Sequence, residues 1–179
     1  MRSARVPSQG ASIKTMKFIC CLHNNHDERP FEIYTLPDTA LHINKRPFFI
    51  PDYAAPCLMQ VHRAVRICRL GRSISRRFAY RYYDAVTLCA RMEAVGIPPT
   101  VGRCFDECLS VGEWLEKGGV ESTFDAEACD AIALVSQYFT LRQGDVIILD
   151  AIRDAEEVKI DQHVEEKFYN TTVLQFNIK

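Results

Sequence analysis

The sequence predicts an α+β domain, and three observations predict it. Apolar runs of strand length, such as Lys17–Leu22 and Val146–Leu149, are separated by polar turns. One segment, Ala128 to Phe139, places Ala128, Ala131, Ile132, Val135 and Phe139 at three- and four-residue steps, the signature of an amphipathic helix. The remaining helices are short, and no regular strand–helix alternation supports a doubly wound sheet. The chain's 179 residues fit one domain. Its 47% hydrophobic and 25% charged residues exclude a disordered or collagen-like chain.

The elements follow in order. Residues 1–15 are polar, basic and free of acids, and read as a disordered extension before a domain spanning 16–179. Lys17–Leu22 suits a buried strand, and the polar stretch from His23 to Pro30 reads as a loop. Phe31–Leu36 is a second strand, and Pro47–Asp52 a very short third one bracketed by prolines. Gln60–Arg69 alternates as a half-buried strand should. Ser75–Tyr83 reads as a helix capped by Ser73 or Ser75, Ala85–Leu88 as a strand, and Ala90–Val95 as a short helix closed by Gly96. Pro98-Pro99 enforces an extended break. Ser122-x-x-Asp125 offers a capping-box start to the long helix. After a turn at Leu141–Asp145 and the strand Val146–Leu149, weaker strands lie near Val158–Ile160 and Thr172–Ile178.

Eight cysteines invite a disulfide or zinc reading, but their spacing refuses both. No C-x-x-C pair exists, Cys20 and Cys21 are adjacent, and no apolar leader precedes a small-residue cleavage site. Reduced thiols in a cytoplasmic protein are expected. No run approaches the roughly 20 apolar residues of a membrane span. The net charge of -1 supplies no global field for nucleic acid or membrane. Locally, Arg63, Arg66, Arg69, Arg72, Arg76, Arg77 and Arg81 occupy an acid-free stretch, while Glu113 to Glu166 carries fourteen acids against four bases. Pairing within the fold or across a dimer is expected of this stretch, since it lacks an aromatic stacking platform for nucleic acid.

Several stretches carry a resemblance in their order and spacing. They are Met16-Lys17-Phe18-Ile19-Cys20, Pro37-Asp38-Thr39-Ala40-Leu41, Pro47-Phe48-Phe49-Ile50-Pro51-Asp52 and Val65-Arg66-Ile67-Cys68-Arg69-Leu70-Gly71. Phe78–Asp84, Gly112-Glu113-Trp114 and Ser136–Ile147 continue the series. Together they resemble the fumarylacetoacetate hydrolase family, in particular its compact bacterial single-domain members. The resemblance implies a mixed-sheet β roll with a few short helices, shortened here, a homodimer, and a bound Mg²⁺ or Mn²⁺. It also implies hydrolysis or decarboxylation of β-dicarbonyl 2-oxo acids, in which the cation acts as a Lewis acid on the forming enolate.

The departures bear on that chemistry. The family's Glu-x-Glu metal ligands fall on Gln60 and His62, and no acid in Leu88–Arg91 replaces the third ligand, an Asp. A Gln carbonyl can still meet a hard cation, whereas a His prefers softer ions. The family's lid His and Glu correspond in place, though not in spacing, to His26 and Glu28 as acid/base candidates. Its substrate-gripping Lys corresponds to Arg103, ahead of Phe105-Asp106, which makes Arg103 and Asp106 substrate-binding candidates. The family's Gly-Thr-Pro loop reads Asp150-Ala151-Ile152, and Lys117-Gly118-Gly119-Val120 stands in for a strand pair. The expected protein is a divergent, inactive member without bound metal. The alternative is a working hydrolase or decarboxylase of 2-oxo acids with a site rebuilt from His62, His26, Asp106 and Arg103; a third reading is the product of a damaged gene or a faulty gene model.

Overall fold

The computed structural model describes residues 16–23, 31–118 and 121–179. In chain order the elements are β1 (Phe18–His23), β2 (Phe31–Leu36), a 3-10 turn (Asp38–Ala40), β3 (Leu41–His42), β4 (Cys57–Ile67) and α1 (Arg76–Ala79). Then come β5 (Tyr83–Ala94), α2 (Pro99–Gly102), β6 (Leu109–Val111), β7 (Leu115–Glu116), α3 (Ser122–Tyr138), β8 (Val146–Ala151), β9 (Glu156–Glu157), β10 (His163–Phe168) and β11 (Thr171–Asn177). The main sheet runs β2-β1-β8-β4-β5-β6-β3, with β7 on β5, β9 on β4, and β10–β11 as a separate hairpin. The sheet is mixed, because β1/β8 and β3/β6 pair parallel while the other pairs are antiparallel. The α+β expectation holds.

Both β1 and β8 are continuous apolar runs because both of their faces are covered. Ile19, Ile147 and Leu149 meet Val65, Ile132 and Val135 in a core beneath α3. Phe18, Val146 and Ile148 join Phe48, Met59, Leu109 and Phe176 in a second core. The turn before β8 is tied down by Asp145, which is fully buried and accepts hydrogen bonds from the Lys17 backbone (3.0 Å), the Lys17 ammonium (2.6 Å) and the Arg142 backbone (2.7 Å). Gly112 sits where a Cβ would lie 2.8 Å from the carbonyl oxygens of Leu88 and Val173, so the close approach of these backbones requires glycine.

Several local expectations are corrected. Ala90–Val95 is no helix: β5 runs unbroken to Ala94, paired residue for residue with β4 from Cys57 to Arg66. Ala, Arg, Met and Glu favour helix locally, but an eleven-residue partner strand overrides a preference of a few tenths of a kcal/mol per residue. Gly96 (φ 90°) turns the chain after a strand. The Ser75–Tyr83 helix shrinks to the single turn Arg76–Ala79, and Ser75, its N-cap, makes no side-chain bond. The N-cap of α3 is Glu121, and Ser122 is already helical; Asp125 instead accepts the Tyr83 hydroxyl. Pro47–Asp52 forms only one bridge, Phe48 to Ile178. The pairing expected at Val158–Ile160 occurs at Glu156–Glu157, and β10 was not foreseen.

All eight cysteines are free. Arg63 and Arg76 of the basic stretch pair with Glu127 and Asp130 on α3, and Arg66 pairs with Asp84. No helix among the described residues is long and apolar enough to cross a membrane.

Candidate functional site

The two-residue period of β4 sends Gln60 and His62 to one face of the sheet. In the ladder Gln60 stands opposite Arg91 and His62 opposite Cys89, so all four share that face. On the same face Cys20 of β1 stands opposite Tyr34 of β2. The strand positions from which the resemblance draws two metal carboxylates therefore look onto a guanidinium, two thiols and a phenol.

Arg91 is the dominant charge there. It is only 6% exposed and donates from Nη1 to the Tyr34 hydroxyl, yet its Nε–H has no partner among the described residues. Among the described residues no carboxylate pairs with it. Glu93, two residues along β5, and Glu32, two residues before Tyr34 on β2, are both engaged by Arg103, at 3.1 and 2.8 Å. Nor does a thiolate offset the charge. Burial pushes Cys20 up to about 11 and Cys108 up to about 12 despite the opposing pull of Arg91, so both stay protonated. Burial likewise raises Tyr34 and Cys89.

His62 is 1% exposed. Its Nδ1 lies 2.9 Å from the Leu149 carbonyl oxygen; a carbonyl only accepts, so Nδ1 carries the proton and Nε2 a lone pair. That lone pair has no partner among the described residues. Burial first, and the Arg91 charge second, lower the imidazole to about 4, so it is neutral at physiological pH. Gln60 is half-buried, its amide nitrogen 3.5 Å from the Arg153 carbonyl.

These residues do not fit Mg²⁺ or Mn²⁺. A hard divalent ion needs about six oxygen ligands, mostly anionic. Among the described residues these strand positions offer one neutral amide oxygen and one neutral imidazole nitrogen beside a permanent cation. Among the described residues no three His, Cys, Asp or Glu side chains are grouped to hold a metal.

The other candidates lie elsewhere. His26 and Glu28 are outside the described residues. Arg103, just after α2, is held by Glu32 and Glu93. Asp106 is exposed, and its charge helps raise the Tyr53 phenol, for which burial is the larger cause. The charges that act on His62 are those of Arg91 and Asp150. Arg91 was missed by sequence reasoning. Its only signal was a lone Arg between Ala90 and Met92, indistinguishable from a helix-surface residue.

No protein-family model and no curated protein matches this sequence. Solved structures do. Fumarylpyruvate hydrolase from Pseudomonas aeruginosa, in complex with Mn²⁺ and pyruvate, superposes with a TM-score of 0.80 at 13% identity, over 92% of this chain and 89% of that one. A protein assigned to the fumarylacetoacetate hydrolase family from Yersinia pestis CO92 gives 0.78 at 17% identity, over 92% and 93%. A 2-hydroxyhepta-2,4-diene-1,7-dioate isomerase from Mycobacterium marinum gives 0.77 at 17%, over 92% and 74%. With the mixed sheet, its strand order and the single long helix, these superpositions establish that the chain has the fold of the fumarylacetoacetate hydrolase family.

Proposed function

We propose that this chain is a fumarylacetoacetate hydrolase-fold protein that has given up divalent-metal chemistry, a non-catalytic member with respect to 2-oxo acids. The observation that carries the reading is the buried Arg91 guanidinium on the face of Gln60 and His62, which meets no carboxylate among the described residues. A divalent cation placed there would meet a like charge in a poorly screened interior, where repulsion is several times stronger than in water. The loss is thus more than missing carboxylates: the sign of the local charge is reversed. A homodimer in the cytoplasm is the setting we propose for it, in keeping with eight free thiols.

The alternative is a working 2-oxo-acid hydrolase or decarboxylase on a rebuilt site. It draws on one observation, the free Nε2 lone pair of His62, held in the tautomer that a metal ligand adopts. Assays of oxaloacetate and acylpyruvate turnover with added Mn²⁺ separate the two. The proposal expects no rate above the buffer-plus-metal background. Turnover that is saturable and lost in His62→Gln would establish the alternative.

A further inference from the structure

Arg66 lies four residues along β4 from His62, about 13 Å at the rise of a strand, and lines a separate cavity of about 310 Å³. Phe18, Leu41, Val111 and Val146 give this cavity apolar walls, and Trp114, the one tryptophan of the chain, lines it as well. The polar side chains of His42 and Asn44, also in the lining, are committed. His42 Nδ1 lies 3.2 Å from Ser110 Oγ, and its Nε2 lies 3.3 Å from the Pro47 carbonyl oxygen. The Asn44 amide donates to the Val173 carbonyl at 3.1 Å and accepts from the Lys45 and Gln175 backbones. The Gly112 and Gly144 N–H groups donate to the Leu88 and Ile67 carbonyls. Arg66 is not fully committed. Its Nε donates to Asp84 at 3.0 Å and its guanidinium carbon lies 5.5 Å from the Trp114 ring centre, yet neither terminal nitrogen makes a hydrogen bond among the described residues.

No acid lines the cavity among the described residues. The acids nearest its walls in sequence, Glu113 and Asp145, are held by Lys45 and Lys17. Residues 1–15, which lead to Met16 on its wall, contain bases and no acid, and Gly119-Val120 carries no charge. Asp27 and Glu28 belong to the connection that leaves β1 at His23, the end opposite Phe18. We propose that this cavity binds small apolar monocarboxylates, with the carboxylate on the two terminal nitrogens of Arg66 and the hydrocarbon body against Trp114 and the apolar walls. A planar carboxylate matches the fork of a guanidinium. One guanidinium edge balances one negative charge, and a second charge on the ligand would be desolvated without a partner. With His42 and Asn44 committed, the rest of the lining favours hydrocarbon. A cavity of this size stands at the small end of the range for ligand pockets, about 300–1,000 Å³, which suits a single ring or a short chain. The site needs no metal, and it stands or falls independently of the chemistry on the Gln60–His62 face.

Trp114 is its own reporter, so the test follows the tryptophan emission of the full chain in EDTA, titrated with 3-phenylpropanoate, with thermal melts to certify each variant's folding. A saturable change is expected, with a dissociation constant of about 1 mM or tighter. The neutral amide of the same acid, and acetate, which lacks the hydrocarbon body, should each bind about tenfold or more weakly. Arg66→Met should weaken binding about tenfold or more, and Arg66→Lys, which keeps the charge, by less. Asp84→Asn frees the guanidinium and should tighten binding by up to about fivefold, a gain that a misfolded variant cannot imitate. Ile43→Asp places an acid at an exposed position of the lining and should weaken binding as Arg66→Met does. Folded wild-type protein whose emission shows no saturable response overturns the proposal, as does equal binding of acid and amide or an unchanged affinity in Arg66→Met. Emission that follows protein concentration and not ligand would give the cavity to a second copy of the chain, and would overturn it as well.

Discussion

On one face of β4, Gln60 and His62 lie with Arg91, a buried cation that no acid among the described residues answers. On the other face, one residue along, Arg63 points to α3 and is answered by Glu127 at 2.7 Å. The pleat of the strand alone sends successive side chains into these two environments. An unpaired buried charge costs several kcal/mol, whereas a paired one roughly breaks even. The Arg63 face is therefore explained by folding alone and the Arg91 face is not. Arg91 does what no stabilising residue needs to do, which is to hold positive charge in the interior beside Gln60 and His62.

The largest effect expected from this contrast is on acid stability. His62 is buried neutral with its pKa lowered to about 4 against an ordinary 6.5. A group depressed on folding contributes stability that is full above its unfolded pKa and lost as pH falls through the folded one. From pH 6.5 down to 4 the protein should lose about 3 kcal/mol on this account. His62→Gln should flatten that part of a denaturation-against-pH curve. A curve equally steep in the variant would mean that the Arg91 face is wetter than described.

Next comes the Arg63 face. Arg63→Ala strands Glu127 and should cost about 2 kcal/mol, below the figure for fully buried pairs because both side chains keep some exposure. Glu127 is raised on folding, so its contribution is present below its unfolded pKa and lost as pH rises through the folded one. The penalty of Arg63→Ala should therefore grow from acidic to neutral pH, as paired urea titrations would show.

A smaller effect is expected on removing the unanswered charge. Arg91→Met keeps the volume, gives up the Tyr34 bond and ends the desolvation cost, so stability should change by no more than about 1 kcal/mol. The variant should also raise the His62 titration midpoint above 4, as NMR would report, since Arg91 is the second cause of its depression. A loss of several kcal/mol would show instead that an anion answers Arg91. Smallest of all, Asp106→Asn at an exposed position should stay within about 0.5 kcal/mol.

The fold was legible because the residues that carry the family resemblance are its joints. Lys17 and the Gly144-Asp145 turn meet across 128 residues to start β1 and β8 side by side, and Gly112 seats the sheet against the β11 backbone. The apolar stripe of α3 was equally plain. The end of β5 was not, because its fate is settled by pairing with β4 and not by its own composition. The sites were the least legible. Arg91 finds Tyr34 over 57 residues, and Arg66 of β4 finds Trp114 beyond β6. A single sequence records no such distances. It did show that Gln60 and His62 replace carboxylates, but only the ladder shows what faces them.

The most direct test of the central claim is a thermal-shift titration of the wild-type protein with Mn²⁺ and Mg²⁺, with and without oxalate. Bound metal at 100 times its dissociation constant would add about 2.7 kcal/mol, a rise of several degrees for a chain of this size. With Arg91 in place we predict a cooperative melt that neither ion moves, with or without oxalate. A metal-dependent rise that oxalate enlarges, and that His62→Gln abolishes, would contradict the account and put a metal centre back on this face of β4.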